Sequence, residues 1–237
     1  MANSGSGFSR GPVWTIVVAG GSGRRFGSLK QFEELGGRRV LDLSVDVARQ
    51  CSDGVVVVVP AEDAEREGGV AGGPTRTASV RNGLAAVPAD ASVILVHDAA
   101  RPFASPSLYR SVIGAVLAGA DGAVPGLPVT DTVKTIEVVE STSLELSGDD
   151  VPAVVPRVTA TPDRATLVAV QTPQAFRADV LRRAYVPEID GTDDASLVEL
   201  IGGTVVVVPG ELDNRKITVP DDLVWAREFL KSSGEAR

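Results

Sequence analysis

Three stretches of this chain carry residue types at spacings suited to phosphate chemistry: a glycine-rich turn, a strand ending in an acid, and a late basic run. In the first, Thr15-Ile16-Val17-Val18 runs into Ala19-Gly20-Gly21-Ser22-Gly23-Arg24-Arg25-Phe26-Gly27, with Lys30 close behind. Glycines let a turn aim its N–H groups at phosphate oxygens, and the cations neutralise the charge. No Gly-Lys-Ser/Thr triplet closes the turn, so it is not a P-loop. Phe26 stands where the dinucleotide fingerprint needs its third glycine. A plain strand-to-helix turn with solvated arginines is the alternative.

The second stretch is Val93-Ile94-Leu95-Val96-His97-Asp98-Ala99-Ala100-Arg101-Pro102. A buried strand here delivers an acid and then a base at its carboxyl end. Asp98 could bind a metal or a ligand hydroxyl, and Arg101 could fork two bonds to a phosphate. An Asp–Arg pair capping the next helix is the competing explanation. His97, flanked by apolar residues, reads as a packed structural histidine. Further along stand Pro128 to Lys134, Gln171-Thr172-Pro173-Gln174, Thr192-Asp193-Asp194-Ala195 and Asp213-Asn214-Arg215-Lys216-Ile217-Thr218. Each alone is ambiguous: Thr192-Asp193-Asp194 could simply cap a helix, and Lys216 could simply be solvated.

The elements that must hold these residues alternate. Val13 to Ala19, Val55 to Pro60, Val93 to Asp98, Ala123 to Pro128 and Val205 to Pro209 read as strands buried on both faces. Helical patterns cover Val40 to Arg49, Ser79 to Val87, Leu108 to Leu117, Arg177 to Tyr185, Asp193 to Ile201 and Pro220 to Lys231, with Ser105-Pro106 as a start signal. The alternation predicts an α/β fold with a doubly wound, mostly parallel sheet, whose ligands sit at the carboxyl ends of its strands. Ile136 to Ala160 breaks the rhythm and predicts a protruding β-arm, at about 136–163, of the kind that serves dimers. Residues 13–231 are expected to form one domain, with a disordered leader at 1–12 and a disordered tail at 232–237.

With 31 acidic and 23 basic residues the formal charge is −8, which argues against nucleic-acid binding. One cysteine, Cys51, and one histidine exclude an intramolecular disulfide and a multi-cysteine or multi-histidine metal centre. No apolar run is long enough for a signal peptide or a membrane span. A reducing cytoplasm is the expected setting.

Taken in order, the motifs resemble the 2-C-methyl-D-erythritol 4-phosphate cytidylyltransferase family from about Ile16 to Leu230. The pieces are Gly21-Ser22-Gly23-Arg24-Arg25 with Lys30-Gln31, Gly72-Gly73 with Arg76 to Ser79, and His97 to Pro102. Asp131-Thr132 with Lys134, Gln171 to Gln174, Thr192 to Ser196, and Asn214 with Lys216-Ile217-Thr218 complete the set. The resemblance implies a Rossmann-like nucleotidyltransferase fold and transfer of CMP from CTP to a sugar-alcohol phosphate, with Mg²⁺ on the triphosphate. It implies a nucleotide site from Ala19, Gly20, Gly21, Ser22, Gly23, Gly73, Ser79, Asp98 and Ala99, with Arg25, Lys30 and Lys216 on the phosphates. It places Asp98, Arg101, Thr132, Thr172 and Thr192 around the acceptor, and has Arg164 reach across from the arm of a homodimer partner. Asp98 is also the possible metal ligand.

The chain departs from the family pattern in several places. It reads Ala19-Gly20-Gly21 where Ala-Ala-Gly is common, shortens the path from Arg25 to Lys30, and has Pro74 after the second glycine of its Gly-Gly pair. Glu62 to Val70 is short for the expected helix and strand, which predicts a trimmed sheet element. Rival readings are a ribitol 5-phosphate cytidylyltransferase, an NAD(P)-dependent oxidoreductase, and a catalytically silent nucleotide-binding module. The oxidoreductase lacks both its third glycine and an acid at the end of the second strand.

Overall fold

A computed structural model describes residues 11–21, 30–140, 143, 152, 154–186 and 189–235. Its strands are β1 (Val13–Val18), β2 (Glu34–Leu35), β3 (Arg38–Arg39), β4 (Gly54–Val59), β5 (Val70–Ala71), β6 (Val93–Asp98), β7 (Gly122–Pro128), β8 (Thr135–Glu140), β9 (Val154–Ala160), β10 (Val168–Val170), β11 (Gln174–Arg177) and β12 (Val205–Pro209). The helices are α1 (Val40–Cys51), α2 (Ala64–Glu67), α3 (Arg76–Ala86), α4 (Pro106–Leu117), α5 (Ala178–Ala184), α6 (Asp194–Leu200) and α7 (Pro220–Glu235). They form two compact units, residues 1–125 with 170–237, and residues 126–169. The second unit is wider than the expected arm.

The main sheet runs β10-β7-β11-β6-β1-β4-β5, with β12 on β7. β-Branched runs such as Val55 to Val59 in β4 favour the pleated, buried state. Alternation then sorts their side chains into two cores. Ile16, Val56, Val58, Ile94 and Val96 meet the residues of α3, α5 and α6 on one face. Val17, Val59, Val93 and Leu95 meet α1 and α4 on the other. Helices on both faces make the sheet doubly wound, as expected, and each fully buried aliphatic contributes about 1.5–3 kcal/mol.

The parallel register places Val18 beside Asp98 and beside Val58, so β1, β4 and β6 end level with one another. Because the chain leaves β1 toward β4 and returns on the other side at β6, a crevice opens at their shared carboxyl end. Backbone bonds fix its rim: the N–H groups of Ala19, Gly72 and Ala99 donate to Val58, Val59 and Val18 at 2.7, 2.7 and 3.0 Å. A third, smaller core of Leu35, Val40, Ile217, Leu223 and Ala226 anchors α7.

Several expectations need correction. β11 is an additional strand, antiparallel to both β6 and β7 within a sheet that is mainly parallel at its centre; its four residues, Gln-Ala-Phe-Arg, are too few and too mixed to show a period. β12 is not buried on both faces, with Val207 53% exposed, because it pairs only with β7. α3 begins at Arg76, where Thr75 caps it by accepting from Ala78 N–H at 3.1 Å; its first turn lacks the apolar stripe that marks a helix. α7 continues to Glu235, so the tail expected from 232 is helical that far. Pro12, placed in the leader, accepts from Ser92 N–H at 2.9 Å. The trimmed element survives as one turn, α2, closed by Gly68 in the left-handed region (φ 58°), and the two-residue β5.

In the second unit, β8 and β9 pair as an antiparallel hairpin with Ile136 opposite Val158, Val138 opposite Pro156 and Glu140 opposite Val154. Alternate residues share a face, so Ile136, Val138, Val154, Pro156 and Val158 form one apolar stripe. It is exposed.

Candidate active site

Two cavities open at the carboxyl end of the sheet, about 530 and about 250 Å³, and Arg76 and Asp98 line both. The larger is walled by Ala19, Gly20, Gly21, Lys30, Gly73, Ser79, Ala99 and Lys216, so most of the predicted nucleotide residues converge. The smaller is walled by Arg101, Thr172 and Thr192, bringing together most of the predicted acceptor residues. Ser22, Gly23, Arg24 and Arg25 lie outside the described residues. Thr132 and Arg164 belong to the second unit, where both are exposed and Arg164 Nη1 donates to Thr130 O at 2.6 Å.

Asp98 is the junction. Arg76 Nε donates to Oδ1 at 3.2 Å and Lys216 Nζ to Oδ2 at 2.6 Å. Burial alone would raise its pKa, but Arg76 and then Lys216 outweigh it and hold the carboxyl well below the usual range. Asp98 is therefore a fixed anion.

The neighbouring His97 is fully buried, and burial lowers its pKa to about 4. A single tautomer satisfies its contacts. Nε2–H donates to Arg101 O at 3.2 Å, and Nδ1 accepts from Thr172 Oγ1 at 3.2 Å, which in turn accepts from Asp98 N–H at 3.0 Å. His97 is structural, as its apolar flanks suggest, and it fixes the turn that presents Asp98 and Arg101. Thr172 spends its hydroxyl on the same relay.

Arg101 donates from Nη1 to Asn214 O at 2.8 Å, while its Nε is buried without a hydrogen-bond partner. Burial lowers its pKa against the pull of Asp98. Asn214 Nδ2 donates to Thr172 O at 2.9 Å, and Gln171 Nε2 donates to Glu211 O at 2.8 Å, so buried amides brace this side.

The two lysines meet at Ile217. Lys30 Nζ donates to Ile217 O at 2.8 Å, next to Lys216, and Ile217 N–H donates to Ala100 O at 2.8 Å. Ile217 is itself buried in the small core with α7, so that core positions both ammonium groups.

The glycine wall is braced from within. Gly73 N–H donates to Ser79 Oγ at 3.0 Å, and Ser79 donates to Thr75 O at 2.9 Å, so both serve the turn. Pro74 has no N–H to add. Gly73 is required for space, because a Cβ there would lie 2.5 Å from Ala78 Cβ.

Sequence reasoning assigned no role to Arg76, which ties Asp98 to Asp194 Oδ2 at 2.8 Å. Its Arg-x-x-Ser placement on the cap of α3 was the available signal. Asp98 as metal ligand has both oxygens engaged by cations, and among the described residues no group of three His, Cys, Asp or Glu could hold an ion. A Mg²⁺ fits here only with phosphate and water as its main ligands, which is its usual habit. No helix among the described residues is long and apolar enough to cross a membrane.

The family model for 2-C-methyl-D-erythritol 4-phosphate cytidylyltransferase matches residues 13–232. A protein of that name from Rhodococcus opacus is 44% identical over 94% of this chain and 96% of its own. A bifunctional enzyme IspD/IspF from Anaeromyxobacter dehalogenans is 48% identical over 92% of this chain, which spans 56% of that longer protein. Among solved structures, 4-diphosphocytidyl-2C-methyl-D-erythritol synthase from Anaerococcus prevotii aligns with TM-score 0.75 and 30% identity, covering 92% of this chain and 96% of that one. The cytidylyltransferase from Thermus thermophilus aligns with TM-score 0.71 and 32% identity, covering 91% and 98%.

Proposed function

Because the chain belongs to the 2-C-methyl-D-erythritol 4-phosphate cytidylyltransferase family, we propose that it transfers CMP from CTP to 2-C-methyl-D-erythritol 4-phosphate, giving CDP-methylerythritol and pyrophosphate for isoprenoid precursors. The observation that carries this reading is the pair of cavities meeting at Asp98 and Arg76, with Lys30 and Lys216 on the larger one. CTP fits the larger cavity and the acceptor the smaller. The larger is lined by Lys30, Arg76 and Lys216 against the single carboxylate Asp98, and the smaller balances Arg76 and Arg101 against Asp98 and Asp193, in a protein whose overall charge is negative.

The reaction needs no side-chain nucleophile. An acceptor phosphate oxygen, already ionised near neutral pH, attacks the α-phosphorus; the new P–O bond forms as the bond to the β-phosphate oxygen breaks, and that electron pair leaves with pyrophosphate. Catalysis is then positioning and charge stabilisation. Lys216, 2.6 Å from Asp98, is placed where the two substrates meet, and can trade its carboxylate for phosphate. Lys30, whose Nζ reaches Ile217 O beside Lys216, holds the triphosphate together with Arg25. Arg101, which lines the smaller cavity, takes the acceptor's phosphate, and Thr192 borders it. Mg²⁺ carried in on the triphosphate would neutralise its charge, with Asp98 as the carboxylate at hand.

The same reading makes the chain a homodimer through its hairpin, whose exposed apolar stripe is a surface to be covered. The partner's Arg164 would complete the acceptor pocket. A reducing cytoplasm suits the free Cys51.

The test mixes the protein and Mg²⁺ with each nucleoside triphosphate and either methylerythritol 4-phosphate or ribitol 5-phosphate, and measures pyrophosphate. Release with CTP and methylerythritol 4-phosphate is expected. Release with ribitol 5-phosphate instead would reassign the acceptor, and no release in any pairing would remove the activity.

A further inference from the structure

The segment that carries Thr192 is fastened to the first turn of α3 at three points. Thr75 Oγ1 donates to Asp190 Oδ1 at 2.8 Å, Gly191 N–H donates to Thr77 Oγ1 at 3.2 Å, and Arg76 Nη2 donates to Asp194 Oδ2 at 2.8 Å. Asp194 is fully buried, lines neither cavity, and accepts a further bond from Tyr185 Oη. Gln174 Nε2 steadies the same segment by donating to Asp193 Oδ2 at 2.8 Å. Thr75 and Arg76 themselves line the larger cavity, whose wall continues to Gly73 and Ser79.

We propose that Asp194 is a positioning residue which, through Arg76, makes the α3 cap and the 190–194 segment one rigid joint and so couples the affinities of the two cavities. The proposal rests on the assignment of nucleotide and acceptor to those cavities. The guanidinium already spans Asp98 and Asp194; a nucleotide that packs against Gly73 to Arg76 restrains it further, and with it the edge of the acceptor pocket. The coupling is reciprocal, as linkage requires: an acceptor in the smaller cavity tightens the nucleotide by the same factor. Breaking the joint leaves each cavity its own lining while removing the link.

The experiment titrates methylerythritol 4-phosphate calorimetrically into the full chain, with and without a CTP analogue whose α,β-bridging oxygen is methylene, so that no reaction occurs. For the unaltered protein the analogue is expected to tighten the acceptor by about fivefold or more. Asp194→Asn, which keeps an acceptor for Tyr185 but removes the charge facing Arg76, should bring that factor close to one while changing the analogue's own Kd about twofold or less. Thr77→Val, nearly isosteric, should lower the factor in the same direction and carries the test if the Asp194 variant fails to fold. A factor of one in the unaltered protein, or an undiminished factor in a folded variant, would overturn the proposal. Pyrophosphate release from CTP and the acceptor by the unaltered protein, read separately, tells this failure from a failure of the underlying assignment.

Discussion

At the carboxyl ends of β1 and β6 polar side chains are buried: Asp98, Thr172, Gln174, Asp194 and Asn214 are all at most 8% exposed. In the 126–169 unit the reverse holds, with Val138 71% and Ile136 57% exposed on one face of the hairpin. Both arrangements oppose the ordinary partition of residues, and each is costly unless something compensates. In the cleft the compensation is internal, a lattice of hydrogen bonds and ion pairs around Asp98. On the hairpin no described residue covers the stripe, and the proposed dimer would supply the second surface. The difference separates a polar cleft that satisfies its own buried groups from an apolar stripe left open to solvent.

The comparison breaks most sharply at Lys216. Lys216→Ala is expected to lower kcat by about a thousandfold, the scale of losing a transition-state donor, with a small change in thermal midpoint, because Arg76 still holds Asp98. Lys30→Ala should behave alike. Steady-state kinetics beside thermal unfolding decide it; near-normal turnover in both would remove these lysines from the chemistry.

The hairpin should answer to charge. If the proposed homodimer forms through the hairpin, aspartate at both Ile136 and Val138 is expected to weaken it by about a hundredfold or more, since each aliphatic buried there would contribute about 1.5–3 kcal/mol. Sedimentation velocity would show monomer, with turnover falling in parallel. An unchanged dimer would place the interface elsewhere.

How much of this contrast sequence could show depended on range. The strand Val93 to Asp98 and the turn after it were legible because an unbroken apolar run ends abruptly in His-Asp. The apolar stripe of the arm was legible only as a broken rhythm, since a two-stranded hairpin exposes what a sheet would hide. Arg76 and Asp194 stand 118 positions apart, and only the folded chain brings them together. β11 was illegible for a different reason: its four residues owe their strand to the neighbours β6 and β7.

His97 sharpens the electrostatic side. Its folded pKa of about 4 lies below the ordinary value of 6.5, so the unfolded chain takes up the proton first as pH falls. Its contribution to stability is complete above about pH 6.5 and is lost down to about pH 4, at up to about 1.4 kcal/mol per pH unit. It is the only histidine, so urea unfolding of His97→Gln should show this slope flattened. An unchanged slope would mean that the ring is not buried neutral.

The smallest effects lie in the glycine wall. Gly73→Ala is expected to cost about 1–3 kcal/mol by overpacking Ala78. Gly20→Ala puts its Cβ 3.2 Å from Ser79 Oγ, a closeness that a shift of a few tenths of an ångström relieves. Its cost in stability should stay below about 0.6 kcal/mol, with urea unfolding of both variants as the measurement. Equal effects at the two positions would contradict the packing argument.

The central claim is direct transfer between two bound polyanions with no covalent intermediate. Acid quenching of a single turnover of α-³²P-labelled CTP, with acceptor present or absent, tests it most directly. Label is expected to pass into CDP-methylerythritol only when the acceptor is present, with none on the protein. Label retained on the chain, or pyrophosphate released from CTP alone, would contradict it.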